Sequence, residues 1–365
     1  MSTTANSGLQ SLDIENFRNI KRASLSFSPS INLITGLNAA GKTSLLEAIY
    51  CLGRVRSFRA LNANHLVREG ESYYRLVGRI GLSGGRTIPI GMERLQGNYR
   101  IHLEGQPVQR LSDLAGRFPV QIMTSDTANI LSGGPGYRRQ NLDWALFHVE
   151  QSYRLQWQRY NRVLRQRNAA LKAHAPAAQI ITWDRELTES AESLDRLRRD
   201  YIAELEPYIQ NELQSLIPGS SLSLRYNAGW PRDVALEAAL RNNLDKDLAQ
   251  GYTHYGPHRG DMVVMIDSKP VQNSFSRGQQ KAMIAAFLMG QVKLQHALDA
   301  PRGALLLDDL GSELDEAHQS RILLCLKEIG TQVFVTAINS QTAKLAEWPG
   351  MKRFHVEHGV VREVL

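Results

Sequence analysis

Hydrophobic and polar positions alternate in short runs at the start of the chain: LDIENF from Leu12, ASLSFS from Ala23 and INLITG from Ile31, separated by polar residues. A period of two predicts strands. Directly after the third run comes GLNAAGKTSLLEAIYCLG, in which Leu45, Leu46, Ala48, Ile49 and Leu52 recur at helical spacing before Gly53 ends the segment. Alternation returns between Tyr73 and Leu103, in YYRLVGRIGL, RTIPIGMERL and YRIHLEG. Gly84-Gly85 and Gln96-Gly97 serve as turn signals there, which predicts a small antiparallel meander.

The period changes near Gly133. From Tyr137 to about Ala173 there is no Gly or Pro, and Leu142, Leu146, Val149, Tyr153, Tyr160 and Leu164 are spaced for one helix of about ten turns. After the break AHAPAAQ, the residues Leu187, Leu194, Tyr201 and Tyr208 recur every seven positions until IPGS at Ile217. Two antiparallel helices joined by a short hinge are expected, forming an arm. Beyond Leu222 the runs SLSLRY and DMVVMID are β-like. A helix in FSRGQQKAMIAAFLMGQVKLQHAL follows, then a buried strand ALLLDD, a helix from Glu316 to Ile329 and the β-rich QVFVTAI. Strand, helix, strand is α/β wiring.

Composition adds little to this outline, because 365 residues with 42% hydrophobic and 22% charged side chains describe an ordinary globular chain of more than one packed unit. Charge adds more. The net charge is +7, and residues 1–120, with 15 basic and 8 acidic residues, carry all of the excess; the remainder is balanced. Between Arg54 and Arg117 all eleven basic residues are arginine, the side chain suited to bidentate phosphate contacts. Arg54, Arg56 and Arg59 are the candidate contacts to DNA, and the alternative is a solvated basic face. Residues 137–175 are net basic and 176–250 net acidic. This suits attraction across the arm, or else a DNA-facing first helix. Cys51 and Cys325 lie in apolar surroundings and read as buried thiols. The polar N-terminus lacks a signal pattern, and the longest apolar run, AMIAAFLMG, is short for a membrane span. A cytoplasmic protein with no membrane partner is expected.

The chemistry concentrates in two motifs. Gly36, Leu37, Asn38, Ala39, Ala40, Gly41, Lys42 and Thr43 fit the phosphate-binding pattern G-x-x-x-x-G-K-[ST] between a predicted strand and a helix that continues through Ser44. The glycines let backbone N–H groups curl around phosphates, and the helix N-terminus adds a partial positive charge. Lys42 would reach the β- and γ-phosphates of ATP, and Thr43 would hold Mg²⁺. The run from Ala304 to Leu307 delivers Asp308, expected to bind the metal, and Asp309, expected to polarise the attacking water. Lys42 and Asp308 stand 266 positions apart, so the arm must be inserted within the nucleotide-binding fold.

Ser276-Arg277-Gly278-Gln279-Gln280-Lys281 before a long helix, and Ser312-Glu313-Leu314-Asp315 after the carboxylates, resemble ABC-type ATPases of DNA repair and chromosome structure. With FRN at Phe17 to Asn19, GGPGYRR and GPHRGDM in order, nearly the whole chain is similar to the RecF family. The resemblance implies an α/β, SMC-like ABC-type head with an inserted antiparallel α-helical arm, divided as residues 1–120, 121–249 and 250–365. It implies an ATP-dependent homodimer in which Ser276, Gly278 and Gln279 contact the nucleotide of the other subunit. Arg18 and Asn19 would lie near the nucleotide, with Gln121 as the Q-loop residue beside the metal. Weak DNA-stimulated ATP hydrolysis, binding to duplex and gapped DNA, and loading of RecA with RecO and RecR are implied too. An SMC-like structural tether is the alternative, and a transporter subunit fits the arm and the SRGQQ signature less well. The transporter switch histidine is missing, with Thr336 and Asn339 in that region. His254, His258 and Asp261 read as turn and surface residues, and Arg138 and Arg139 as a local salt-bridge pair or a DNA contact.

Overall fold

The structure, a computed structural model, describes residues 7–364 apart from 61, 83, 109–113, 115, 272–274, 311–315 and 339–347. Its contacts divide the chain into two compact units, Met1–Thr127 with Arg277–Leu365, and Ala128–Ser276. The second boundary falls later than the expected 249/250, because residues 261–266 pair with residues 222–227 inside the inserted unit.

The first unit opens with β1 (Gly8–Phe17), β2 (Ile20–Ser26) and β3 (Ile31–Thr35), followed by helix α1 (Lys42–Arg54). The meander is β4 (Tyr73–Gly81), β5 (Thr87–Leu95) and β6 (Asn98–Leu103), extended by the two-residue β7 (Gln106–Pro107), with β8 (Val120–Met123) beyond it. The meander joins the first hairpin in one antiparallel sheet of order β2-β1-β4-β5-β6-β7.

In the inserted unit, the single long helix expected from Tyr137 is two: α2 (Pro135–Val149) and α3 (Gln151–Lys172). The break is at Glu150, which is extended and accepts the Ser152 N–H on its side chain, so it caps α3 instead of continuing α2. Helix α4 (Asp184–Leu216) returns. The pairs Arg167–Asp184, Arg159–Glu186 and Arg198–Tyr153 run in opposite sequence order, which makes α3 and α4 antiparallel as expected. Arg159 and Arg162 of the basic helix pair with Glu186 of the acidic one. Strands β9 (Leu222–Asn227), β10 (Asp261–Ile266) and β11 (Lys269–Pro270) complete the unit.

The chain then re-enters the first unit with α5 (Arg277–Ala297), β12 (Ala304–Leu307), α6 (Glu316–Glu328), β13 (Gln332–Ala337), β14 (Lys352–Glu357) and β15 (Val360–Val364). The order β15-β14-β3-β13-β12-β8 is parallel except for β15. β12 and β13 are buried at every position, as strands covered on both faces are; β12 is an unbroken apolar run, while β13 also buries Gln332 and Thr336, whose side chains are hydrogen-bonded. Helix α1 packs with both sheets. Leu45, Leu46 and Ile49 share one core with Leu12, Leu76 and Ile90 of the antiparallel sheet and with Leu306 and Phe334 of the parallel one. Cys51 is buried, but Cys325 is only half-buried: it sits beside exposed Leu324, while Ile322 and Leu326 of α6 turn inward. Among the described residues no helix is long and apolar enough to cross a membrane.

Candidate functional site

β3 hands the chain to α1 through a loop that only glycine can make at its first step. Gly36 has φ 152°, and a β-carbon there would lie 2.3 Å from the Val356 carbonyl oxygen. The loop is also held from outside. The Ala40 carbonyl accepts hydrogen bonds from Asn19 Nδ2 at 3.0 Å and from the Gly359 N–H at 2.9 Å.

At the start of α1, Lys42 Nζ donates to the Gly36 and Leu37 carbonyls at 2.7 and 2.9 Å. Burial pulls its pKa below the usual lysine value, while the charges of Asp309 and Asp308 push it back up. The Thr43 hydroxyl lies 3.1 Å from each carboxylate oxygen of Asp308. Thr336 orients the same carboxylate: its hydroxyl donates to Asp308 Oδ1 at 2.8 Å and accepts the Asp309 N–H at 2.8 Å. Asp309 itself has φ 52°, and its carbonyl accepts from Lys281 Nζ at 2.9 Å. Thr43, Asp308 and Asp309 line a cleft of about 1430 Å³ together with the loop, Thr124 and the segment around His65.

Arg18 also lines the cleft, fully engaged on its protein side. Its Nε and Nη2 donate to Glu47 at 2.7 and 2.8 Å, and Nη1 donates to the His65 carbonyl at 2.8 Å. The hydrogen bonds to Glu47 raise its pKa, partly countered by burial. Glu47 is completely buried and also accepts from the Ser57 hydroxyl. Sequence reasoning passed over Glu47, although an acid inside the apolar run of α1 was itself a signal, because a buried carboxylate demands a partner.

Several expected site residues fall elsewhere. Gln121 lies mid-strand in β8, buried, with its amide nitrogen 3.5 Å from Gln291 Oε1, and Thr124 beyond the end of that strand reaches the cleft instead. Arg54 is turned inward: its Nε donates to the Val120 carbonyl at 2.9 Å, its guanidinium stacks 5.5 Å from the Tyr50 ring centre, and burial lowers its pKa. Arg56 and Arg59 are exposed, Arg59 on the cleft rim. Ser276 is exposed and immediately precedes α5, and neither it nor Gly278 nor Gln279 lines the cleft. Ser312 to Asp315 and Asn339 lie outside the described residues.

In the inserted unit, Arg138 forms a two-armed pair with Asp261 at 2.7 and 2.8 Å, and Arg139 donates to the Gly260 carbonyl at 2.8 Å. In the GYTHYGPHRGDM loop Tyr252 and Arg259 are exposed, but His254, His258 and Asp261 are half-buried and bonded. His258 Nδ1 lies 2.6 Å from the Tyr160 hydroxyl and Nε2 lies 3.0 Å from the Thr253 carbonyl, while His254 Nδ1 lies 2.6 Å from Asp247 Oδ1. Among the described residues no group of three or more His, Cys, Asp or Glu side chains could hold a metal.

Residues 8–361 match the family model described as the RecF/RecN/SMC N terminal domain. The DNA replication and repair protein RecF of Thioalkalivibrio sulfidiphilus is 37% identical over 97% of this chain and 99% of that protein. The chain belongs to the RecF family. RecF of Edwardsiella ictaluri is 38% identical over 97% of this chain and 99% of its own. A solved structure of the recombination mediator RecF with ATP, in the RecFOR pathway, matches with a TM-score of 0.87 at 27% identity, covering 99% of this chain and 98% of that one. An Smc head bound to the C-winged helix domain of ScpA matches with a TM-score of 0.61 at 16% identity over 98% of this chain and 97% of that one, a likeness of fold alone. RecF membership and these likenesses give the chain an SMC-like ABC ATPase fold.

Proposed function

We propose that this chain is an ATP-dependent DNA-binding protein of replication and recombinational repair. It binds duplex and gapped DNA as an ATP-closed homodimer, hydrolyses ATP slowly with stimulation by DNA, and helps load RecA at single-strand gaps together with RecO and RecR. The observation that carries the reading is the meeting of Thr43 and Asp308 at the mouth of the phosphate loop.

That meeting brings a hydroxyl and a carboxylate together, both hard oxygen donors of the kind Mg²⁺ takes, with the remaining positions left to phosphate oxygens and water. Thr43 and Asp308 would hold the ion, which when bound neutralises charge on the phosphates. The chain's own groups divide the rest of the work. The loop N–H groups and the N-terminus of α1 receive the phosphate oxygens, and Lys42 supplies a cation beside them. Asp309 accepts a proton from the attacking water. Thr336, bonded to both acids, keeps their spacing fixed.

Ser276, Gly278 and Gln279 lie outside the lining of their own chain's cleft, which supports a role for them against the nucleotide of a second copy. Arg56 and Arg59 are exposed and suit sequence-independent phosphate contacts. The deciding experiment is light scattering with gapped-DNA binding, with and without Mg-ATP. ATP should double the particle mass and tighten DNA binding in the wild type but not in Lys42→Ala. A mass and a DNA affinity indifferent to ATP would refute the reading.

A further inference from the structure

We infer that His358, at the tip of the C-terminal hairpin, is a nucleotide contact: its imidazole N–H donates to an oxygen of the bound nucleotide, either phosphate or ribose hydroxyl. The inference rests on the reading of the cleft as an ATP site and adds to it a residue that belongs to neither nucleotide motif.

Three observations point the same way. First, the hairpin is built onto the phosphate loop. β14 pairs with β3 in parallel, which carries the turn between β14 and β15 to the loop that follows β3. There the Gly359 N–H donates to the Ala40 carbonyl at 2.9 Å. The approach is so close that a β-carbon on Gly359 would lie 2.1 Å from the Asn19 carbonyl oxygen. Any movement of the loop around phosphate is therefore felt at this turn. Second, His358 lines the cleft beside Asn38, Ala39 and Arg18, and its side chain is exposed. Third, the backbone of the turn does not call for an imidazole. Glu357 pairs with Val360, leaving a two-residue turn in which His358 has φ 48° and Gly359 φ 77°. Such a turn favours Asn or Gly at its first position; histidine is tolerated in the left-handed region but is not demanded by it. An exposed imidazole on the lining of the cleft, in a turn that does not itself require histidine, is a candidate functional position.

Substitution can separate the imidazole from the turn, because Gly and Asn both suit the left-handed conformation. His358→Gly removes the side chain, and His358→Asn keeps a shorter donor. Binding of Mg-bound adenylyl-imidodiphosphate and of inorganic tripolyphosphate is measured by titration calorimetry on the full chain, with Lys42→Ala as the control for the site. His358→Gly should weaken the nucleotide about fivefold, the loss expected for one hydrogen bond, with His358→Asn in between and neither variant melting below the wild type. A matching loss for tripolyphosphate assigns the contact to the phosphate chain; a loss for the nucleotide alone assigns it to the ribose. If both variants bind within about twofold of the wild type while Lys42→Ala abolishes binding, the nucleotide site stands and the role of His358 is wrong. A wild type that binds neither ligand would overturn the site and this inference together.

Discussion

The hydroxyl of Thr43 sits 3.1 Å from both carboxylate oxygens of Asp308, joining the first turn of α1 to the end of β12 across 265 positions of sequence. Asp308→Asn should keep this contact as a hydrogen bond and lose the negative charge that a divalent ion needs. The expected result is a folded variant with unchanged melting whose Mg-dependent phosphate release falls by at least about 100-fold. Measuring release across a Mg²⁺ titration tests it, and a merely shifted midpoint with full recovery of rate would argue for a weaker role.

Asp309 is fixed through its backbone, by Thr336 at the N–H and by Lys281 at the carbonyl, and it lines the cleft. Asp309→Asn should bind ATP as well as the wild type and hydrolyse it about 100-fold more slowly, because the proton acceptor is gone. Single-turnover rates set against equilibrium binding separate the two effects.

The arginine run divides by burial. Arg56→Glu with Arg59→Glu should weaken duplex binding and lower the salt dependence by about two counterions, without loss of stability. Arg54→Ala should instead destabilise the head, since it removes the Val120 hydrogen bond and the stack on Tyr50. Fluorescence anisotropy at several salt concentrations, alongside thermal melting, distinguishes the two classes.

Arg167 is fully buried between α3, the start of α4 and the Asp247 segment, donating to Asp184 at 2.8 Å, Asp247 at 2.7 Å and Thr253 at 2.8 Å. Arg167→Met would leave two buried carboxylates without their cation, a loss of about 3–5 kcal/mol. Burial already raises the pKa of Asp184 even with the arginine in place. Adding Asp184→Asn to Arg167→Met should therefore recover part of the loss in urea unfolding. No recovery would mean that packing and not charge is at stake.

Acid should weaken the inserted unit through His258, whose pKa burial lowers from 6.5 to about 4. Between those values the unfolded chain takes up a proton that the folded chain refuses. Stability is thus full above pH 6.5 and declines as the pH falls toward 4, at up to about 1.4 kcal/mol per unit. His296, lowered to about 4 by burial, acts in the same direction in the other unit. Urea midpoints at pH 5, 6 and 7 should drop toward acid, and His258→Gln should flatten that slope.

Much of this protein was legible in its residues. The phosphate loop, the strand before Asp308 and the meander rest on local pattern and appear where the pattern put them, and the arm helices pair as expected except that the first is broken in two at Glu150. The short parallel strand β8 and the C-terminal hairpin were not foreseen. Four residues of Val120–Met123 carry too little period to be read alone. Gln121 was assigned from its position after Pro119-Val120, but the strand that holds it sends its side chain toward Gln291.

By itself, then, the sequence determined which chemistry is available: a loop that can receive phosphates, two adjacent carboxylates, a signature before a long helix, and an arginine-rich first third. Those are properties of neighbouring residues, and spacing alone expresses them. Only the tertiary structure decided which distant groups share the cleft. It took Arg54 out of the arginine run, joined Arg18 to Glu47, set Thr336 between the two acids, and brought His358 to the loop around Ala40. The physical reason is the parallel sheet, whose register aligns the ends of strands that lie far apart in sequence, so that contacts at those ends have no local signal.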